Sequence, residues 1–152
     1  MSPDLSPKMG MVVANVSCVA IEGRALLIEG PPGAGKSSLA LALIESGALL
    51  IGDDGVTLAA ENGQLIASPP PHIAGLIEVR GVGLVALPTA SAPVALAIVL
   101  DPEAPRLPEK LASASWCGIA VPRLPLYPDA ATVPLRARWA LRQHGTPLPP
   151  CA

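Results

Sequence analysis

Short runs of apolar residues, separated by glycine, proline and acidic turns, give this chain its pattern. The runs at 25–28, 48–51 and 94–100 are continuously apolar, which is typical of buried strands. The run at 38–44 follows a glycine-rich loop and precedes Gly47, the pattern of a short helix with glycine at its C-terminal end. Strands alternating with a helix predict an α/β fold.

Turn signals predict two hairpins, in each of which a pair of short strands flanks a glycine-containing turn. The strands at 17–21 and 24–28 flank Glu22-Gly23, and those at 56–59 and 64–68 flank Glu61-Asn62-Gly63. Asn-Gly is the strongest short-range hairpin signal, because both residues accept positive φ.

The C-terminal part of the chain is less regular in pattern. Residues 102–128 are rich in proline, and we expect them to be irregular. A helix is predicted over 130–143, with Gly145 as its stop. At the two ends we expect a loose leader at 1–10 and a frayed tail at 146–152.

Composition narrows the class of protein. Of the 152 residues 51% are hydrophobic and 14% charged, which predicts a single domain over 1–152 with a buried core. A net charge of −2 argues against a nucleic-acid partner. No apolar run approaches the roughly 20 residues needed to span a membrane. Cys18, Cys117 and Cys151 are scattered without metal-type spacing, so we expect reduced thiols in a cytoplasmic protein.

The stretch from Gly30 to Ser37 fits the phosphate-binding loop pattern G-x-x-x-x-G-K-[ST]. Backbone N–H groups of such a loop cradle nucleotide phosphates, while Lys36 reaches the β- and γ-phosphates and the Ser37 hydroxyl binds Mg²⁺. A strand before the loop and a helix after it suit this interpretation; a glycine-proline turn that matches by chance is the alternative. The predicted nucleotide-binding residues are Gly30, Pro31, Pro32, Gly33, Ala34, Gly35, Lys36, Ser37 and Ser38.

Asp53 and Asp54 follow the apolar run at 48–51 after a single residue, Gly52. Ligands of open α/β sheets gather at the carboxyl ends of the strands, so two carboxylates there are well placed. One can orient Mg²⁺ or its waters while the other acts as a base. A solvated Asp-Asp-Gly turn is the alternative.

Glu78 and Arg80 form a charged pair within an apolar segment, which is unusual in a chain so poor in charge. Burying either residue alone is costly, so we expect them to pair with each other, with a metal or with a phosphate. The alternative is an internal ion pair at a strand edge.

Taken in order, these three segments resemble the catalytic domain of HPr kinase/phosphorylase. The family pattern is a phosphate loop, an apolar-Asp-Asp strand end and a Leu/Ile-Glu-Ile-Arg-Gly-x-Gly segment, here Leu76-Ile77-Glu78-Val79-Arg80-Gly81-Val82-Gly83. The resemblance covers about residues 15–140, and it is to a short form with the C-terminal catalytic domain only. It implies a P-loop-containing α/β domain with a central, mostly buried sheet and flanking helices.

The resemblance also implies an activity. Members use ATP and Mg²⁺ to phosphorylate a seryl hydroxyl of the small phosphocarrier HPr, in regulation of the phosphotransferase system. Many also remove that phosphate by phosphorolysis, and the longer members assemble as hexamers. An HPr-like carrier as partner and a homo-oligomer are therefore expected here.

Roles carried over by position from the family complete the site. Lys36 holds the phosphates, Ser37 and Glu78 ligate Mg²⁺, Asp53 supports the metal, and Asp54 is the base toward the serine. Arg80 lies in the stretch used in both directions of the reaction. Arg106 lies near another catalytic arginine of the family, although it also suits a surface position.

Three departures from the family pattern favour kinase over phosphorylase activity. Asn15 stands where the family usually has histidine, and it carries no proton or charge near pH 7. Ser38 replaces a glutamate. The segment at 127–131, where the family has a basic segment linked to dephosphorylation, contains no Lys or Arg.

Two other functions are compatible with the sequence. A small-molecule kinase is one, although the thin spread of arginines does not suggest a lid that clamps an anionic acceptor. A nucleotide-sensing module without turnover is the other, and Asn15 together with the missing basic segment favours it.

Overall fold

The computed structural model describes residues 10–108 and 110–149. These form eleven strands and two helices within the described ranges. The helices are α1 (Lys36–Glu45) and α2 (Val133–His144). The strands are β1 (Gly10–Ala14), β2 (Ser17–Ile21), β3 (Arg24–Glu29), β4 (Leu49–Gly52), β5 (Gly55–Glu61), β6 (Gln64–Ser68), β7 (Leu76–Val79), β8 (Gly83–Ala86), β9 (Ala92–Leu100), β10 (Ala112–Trp116) and β11 (Ile119–Leu126).

Nine of these strands share one mixed sheet. Its path runs β1-β5-β6-β9-β3-β2-β4, and β11 adds to β9 and carries β10. β3, β9 and β11 are parallel, so their carboxyl ends meet at one edge of the sheet. The phosphate-loop segment leaves β3 at this edge, the position where ligands of α/β sheets bind. β7 and β8 form a separate hairpin.

Two hydrophobic clusters lie on the two faces of the central strands. One cluster packs α1 and α2 against the sheet through Leu26, Ile28, Leu39 and other aliphatic side chains. The other lies between the central strands and the β5–β6 layer, around Leu27 and Leu58. The α/β fold with a buried central sheet is therefore confirmed, but both helices contribute to the cluster on one face only.

The elements around the loop agree with the sequence predictions. Both hairpins form, and their turn residues Glu22, Gly23, Asn62 and Gly63 have the positive φ that such turns require. The first helix begins two residues earlier than predicted, at Lys36. The second covers Val133–His144 instead of 130–143 and ends at Gly145 as expected.

The expectation of an irregular region at 102–128 is wrong, because β10 and β11 lie within it. Pro122 and Pro125 count against a strand, since proline cannot donate to a ladder. β11 pairs with β10 only over Ile119–Arg123 and with β9 only over Arg123–Leu126. Each proline therefore lies where β11 has a partner on one side only, the edge-type position at which strands tolerate proline.

The predictions for the chain ends are corrected in part. Gly10 begins β1, so it is not part of a leader; residues 1–9 lie outside the described residues. Thr146, the first residue of the predicted tail, is not frayed: its N–H donates to Ala95 O and its carbonyl accepts from Arg24 Nη1. Residues 150–152 of that tail lie outside the described residues. The described part of the chain has no helix long and apolar enough to cross a membrane.

Candidate active site

The phosphate-loop segment forms a closed turn between β3 and α1. The Ala34 N–H donates to Pro31 O at 3.1 Å. Gly33 and Gly35 have φ of +81° and +99°, values that favour glycine. The Lys36 ammonium folds back over the loop, where it donates to Gly30 O at 2.7 Å and to Pro31 O at 3.1 Å. The cation is thus held above the loop backbone.

The N-terminus of α1 has the donor set that a polyphosphate needs. No described side chain caps it at Gly35, and its first turn has no acidic residue. The first N–H groups of a helix lack intrahelical acceptors and carry partial positive charge. With Lys36 beside them they fit a nucleotide's phosphates. Ser38, the last predicted binding residue, is exposed on this first turn.

Asp53 joins the loop to the strand end. Its Oδ1 accepts a hydrogen bond from Ser37 Oγ at 2.6 Å and another from Ser17 Oγ at 3.0 Å. The short distance to Ser37 is typical of a hydroxyl that donates to a carboxylate. The structure therefore brings together two of the residues predicted from separate motifs.

A tight turn between β4 and β5 presents the two aspartates. A Cβ on Gly52 would overlap the Gly55 carbonyl oxygen, so only glycine fits there. Asp54 has φ of +58°, its side chain is exposed, and its carbonyl accepts from the Asn15 N–H at 3.2 Å. Asn15, at the family's histidine position, thus lies beside the candidate base.

Glu78 and Arg80 lie on the β7–β8 hairpin, where both are exposed, so the alternative of an internal ion pair is wrong. Ile77 of β7 is buried in the cluster with α1, and Glu78 alternates to the exposed side. Arg80 is also exposed, in the turn. Among the described residues, neither forms a hydrogen bond or ion pair with the other or with Ser37.

Arg106 lies in the loop after β9, and its side chain forms no hydrogen bond or ion pair with another described residue. It lines an open groove of about 620 Å³ that runs between this loop, the end of β11 and α2. Tyr127 and Trp139 line the same groove. Arg136 of α2 donates to Tyr127 O at 2.6 Å, so a guanidinium reaches the segment whose own residues lack positive charge.

Sequence reasoning missed two polar contacts near the loop. One is the contact of Ser17 with Asp53. The sequence feature that could have indicated it is a hydroxyl residue at the start of an apolar strand. The other is a bidentate ion pair between Glu29, directly before the loop, and Arg123 of β11, with N–O distances of 3.0 Å and 2.7 Å. No sequence pattern links these two residues, which are 94 positions apart.

Comparison with known proteins identifies the family. The family model of the HPr Serine kinase C-terminal domain matches residues 10–91, just over half of the chain. The chain belongs to this family. The matched region contains the loop, both aspartates and the β7–β8 hairpin, the three segments that carried the resemblance.

Individual members of the HPr kinase family are also similar to this chain in sequence. An HPr kinase/phosphorylase of Clostridium botulinum is 45% identical over 67 residues, 44% of this chain and 22% of the relative. One of Mycoplasma mycoides is 42% identical over 64 residues, 42% of this chain and 20% of the relative. The aligned part thus spans less than a quarter of these curated relatives.

A solved structure extends the likeness to most of the chain. The Hpr(Ser) kinase/phosphatase from Coxiella burnetii superposes with a TM-score of 0.76 at 29% sequence identity. The match covers 88% of this chain and 95% of that chain. Its extent supports the fold described above beyond residue 91, where the family model ends.

Proposed function

We propose that this domain is an ATP- and Mg²⁺-dependent serine kinase that phosphorylates a seryl hydroxyl of an HPr-like phosphocarrier, in regulation of the phosphotransferase system. The observation that carries the proposal is the Ser37–Asp53 hydrogen bond, because it joins the phosphate loop to the paired aspartates. Phosphoryl transfer needs both parts at one place. Membership of the HPr kinase family supplies the substrate class.

In this proposal the loop residues hold the nucleotide. Lys36 exchanges its bonds to the loop carbonyls for bonds to phosphate oxygens. Ser37 is a Mg²⁺ ligand whose hydroxyl donates its hydrogen bond to Asp53. Asp53 supports the metal side, and Glu78 is a second ligand on the hairpin. Bound Mg²⁺ neutralises charge on the β- and γ-phosphates. Oxygen donors of this kind suit Mg²⁺, which completes its shell with phosphates and water.

Asp54 is the proposed base. Its exposed carboxylate accepts the seryl proton while the seryl oxygen bonds to the γ-phosphorus and the bond from that phosphorus to the β–γ bridging oxygen breaks, which releases ADP. Lys36, Arg80 and Arg106 are the proposed cations that stabilise the transferring group. A homo-oligomer in the cytoplasm is the expected working form.

Intact mass of the carrier tests the proposal. The purified protein is incubated with ATP, Mg²⁺ and the host's HPr-type protein, and the carrier should gain one phosphoryl group. Added inorganic phosphate should leave that group in place, because residues 127–131 contain no Lys or Arg. A carrier whose mass does not change would contradict the kinase function.

Asp54→Asn tests the base. Transfer should fall at least a hundredfold, in line with removal of a general base, while nucleotide affinity stays within a few-fold. Glu45→Gln is the matched control: it removes an exposed carboxylate at the other end of α1 and should transfer normally. Transfer by Asp54→Asn at near wild-type rate would show that another group takes the proton.

A further inference from the structure

Ser17 is the only buried polar or charged residue in the described part of the chain, with 1% of its surface exposed. A buried hydroxyl without a hydrogen-bond partner is costly, so the partner of the Ser17 hydroxyl indicates the role of this residue. That bond goes to Asp53 Oδ1 at 3.0 Å, 36 residues away in the sequence. The hydroxyl therefore serves the candidate site directly.

Both hydroxyl donors use the same carboxylate oxygen. Ser17 and Ser37 donate to Oδ1 of Asp53, and no described residue donates to Oδ2. This arrangement fixes the plane of the carboxylate from one side. It leaves the second oxygen, on a partly exposed side chain, for a ligand from outside the chain.

The two donors differ in how firmly they are held. Ser17 belongs to β2, a wholly buried strand that pairs with β3 on one side and β4 on the other. Ser37 lies in the first turn of α1, where its oxygen is needed for the metal. Ser17 is thus the anchor that stays in place when Ser37 takes a ligand.

Strand pairing sets this contact. The β2–β4 register shifts between Cys18 and Val19, which places Gly52 opposite Cys18 and brings Asp53 to the start of β2. Irregularities of this kind beside functional sites re-aim side chains. Ser17 also faces the α1 side of the sheet, since its neighbour Cys18 packs in the opposite cluster.

We propose that Ser17 is a positioning residue, which holds the Asp53 carboxylate in the orientation that binds the nucleotide's divalent cation. The inference rests on the proposed function, in which Asp53 supports the Mg²⁺ side. Partners that orient a metal-binding group typically contribute 10–100-fold to metal affinity. A residue that only filled space would contribute to folding stability and leave metal affinity unchanged.

Calorimetric titration with ADP, with and without Mg²⁺, tests the role without any phosphoryl transfer. Ser17→Ala should weaken Mg²⁺-dependent ADP binding about tenfold and leave Mg²⁺-free binding within twofold. Ser17→Thr keeps the hydroxyl and should restore binding. Cys18→Ala is the matched control, because it removes one buried heavy atom from the adjacent position and should bind like the wild type.

Dependence on Asp53 is tested in a second background. In Asp53→Asn protein, adding Ser17→Ala should change Mg²⁺-dependent binding by less than twofold, because the group it orients is already altered. Equal losses with and without Mg²⁺, or a full tenfold loss in the Asp53→Asn background, would overturn the proposal. If Ser17→Thr packs poorly, the comparison of Ser17→Ala with Cys18→Ala decides alone.

The same titrations separate this inference from the kinase proposal. A wild-type protein that binds Mg²⁺-ADP but phosphorylates no carrier would contradict the kinase function, while the Ser17 comparison still stands or falls on binding. A wild-type protein that binds no nucleotide would overturn both.

Discussion

Replacing Arg123 by methionine removes the guanidinium that joins β11 to β3 and keeps most of the aliphatic stem. Glu29 then loses two charge-assisted hydrogen bonds, Nε–Oε2 at 3.0 Å and Nη2–Oε1 at 2.7 Å. The side chains of Arg123 and Glu29 are 35% and 19% exposed, between a surface pair and a buried one.

The expected cost follows from that partial burial. Exposed ion pairs contribute about 0–1 kcal/mol, and breaking a fully buried pair costs about 3–5 kcal/mol. Arg123 also lies 5.6 Å from the centroid of the Trp116 ring, a contact that contributes about 0.5 kcal/mol. We expect Arg123→Met to lower the free energy of unfolding by about 2 kcal/mol, and the Tm by about 6 °C.

Urea denaturation followed by far-UV circular dichroism measures this free energy, and a double-mutant cycle isolates the pair. Glu29→Gln combined with Arg123→Met should cost at least 1 kcal/mol less than the sum of the single changes. Arg142→Met is the control, because Arg142 is exposed and stacks on Trp139 at 4.9 Å, with no ion pair to any described residue. Additive single changes, or an Arg123→Met cost as small as that of the control, would refute the reasoning.

Three further predictions concern the core, the aspartate turn and a buried thiol. Ile77→Ala should cost about 2–4 kcal/mol in urea denaturation, because Ile77 packs the β7–β8 hairpin onto α1; a cost no larger than that of Leu84→Ala, at a 70% exposed residue of the same hairpin, would contradict this. Gly52→Ala should lower Mg²⁺-nucleotide affinity measured by calorimetry more than Gly55→Ala does, because only the first change forces the turn apart. Burial raises the pKa of the Cys18 thiol from its ordinary 9.0, so stability should fall as pH rises above about 9, and Cys18→Ala should flatten that part of the urea-derived stability profile.

Local signals were enough to predict the loop and its neighbours. The strand at 24–28, the glycine loop and the helix before Gly47 each show a pattern contained within a few residues. Asp53 and Asp54 were predicted for the same reason, because they lie one glycine after an apolar run. The contact of Asp53 with Ser37 was expected from topology, since both segments end at one edge of the sheet.

The features that the sequence did not predict depend on contacts between residues far apart along the chain. β11 was missed because Pro122 and Pro125 argue against a strand until it is known which edge each one faces. An internal Glu78–Arg80 ion pair was the alternative because the neighbouring residues are apolar, yet the hairpin buries only Ile77 fully. Strand alternation alone does not say which face of a short hairpin the core takes.

The position of β9 in the sheet bears on how this domain unfolds. It bonds to β6 at its start, to β3 along its length and to β11 at its end, and its alternate side chains enter both clusters. Neither cluster can separate from the sheet while this strand stays in place, so the two form one cooperative unit. The backbone amides of β9 should therefore exchange with deuterium only through global unfolding, and at the slowest rate in the molecule.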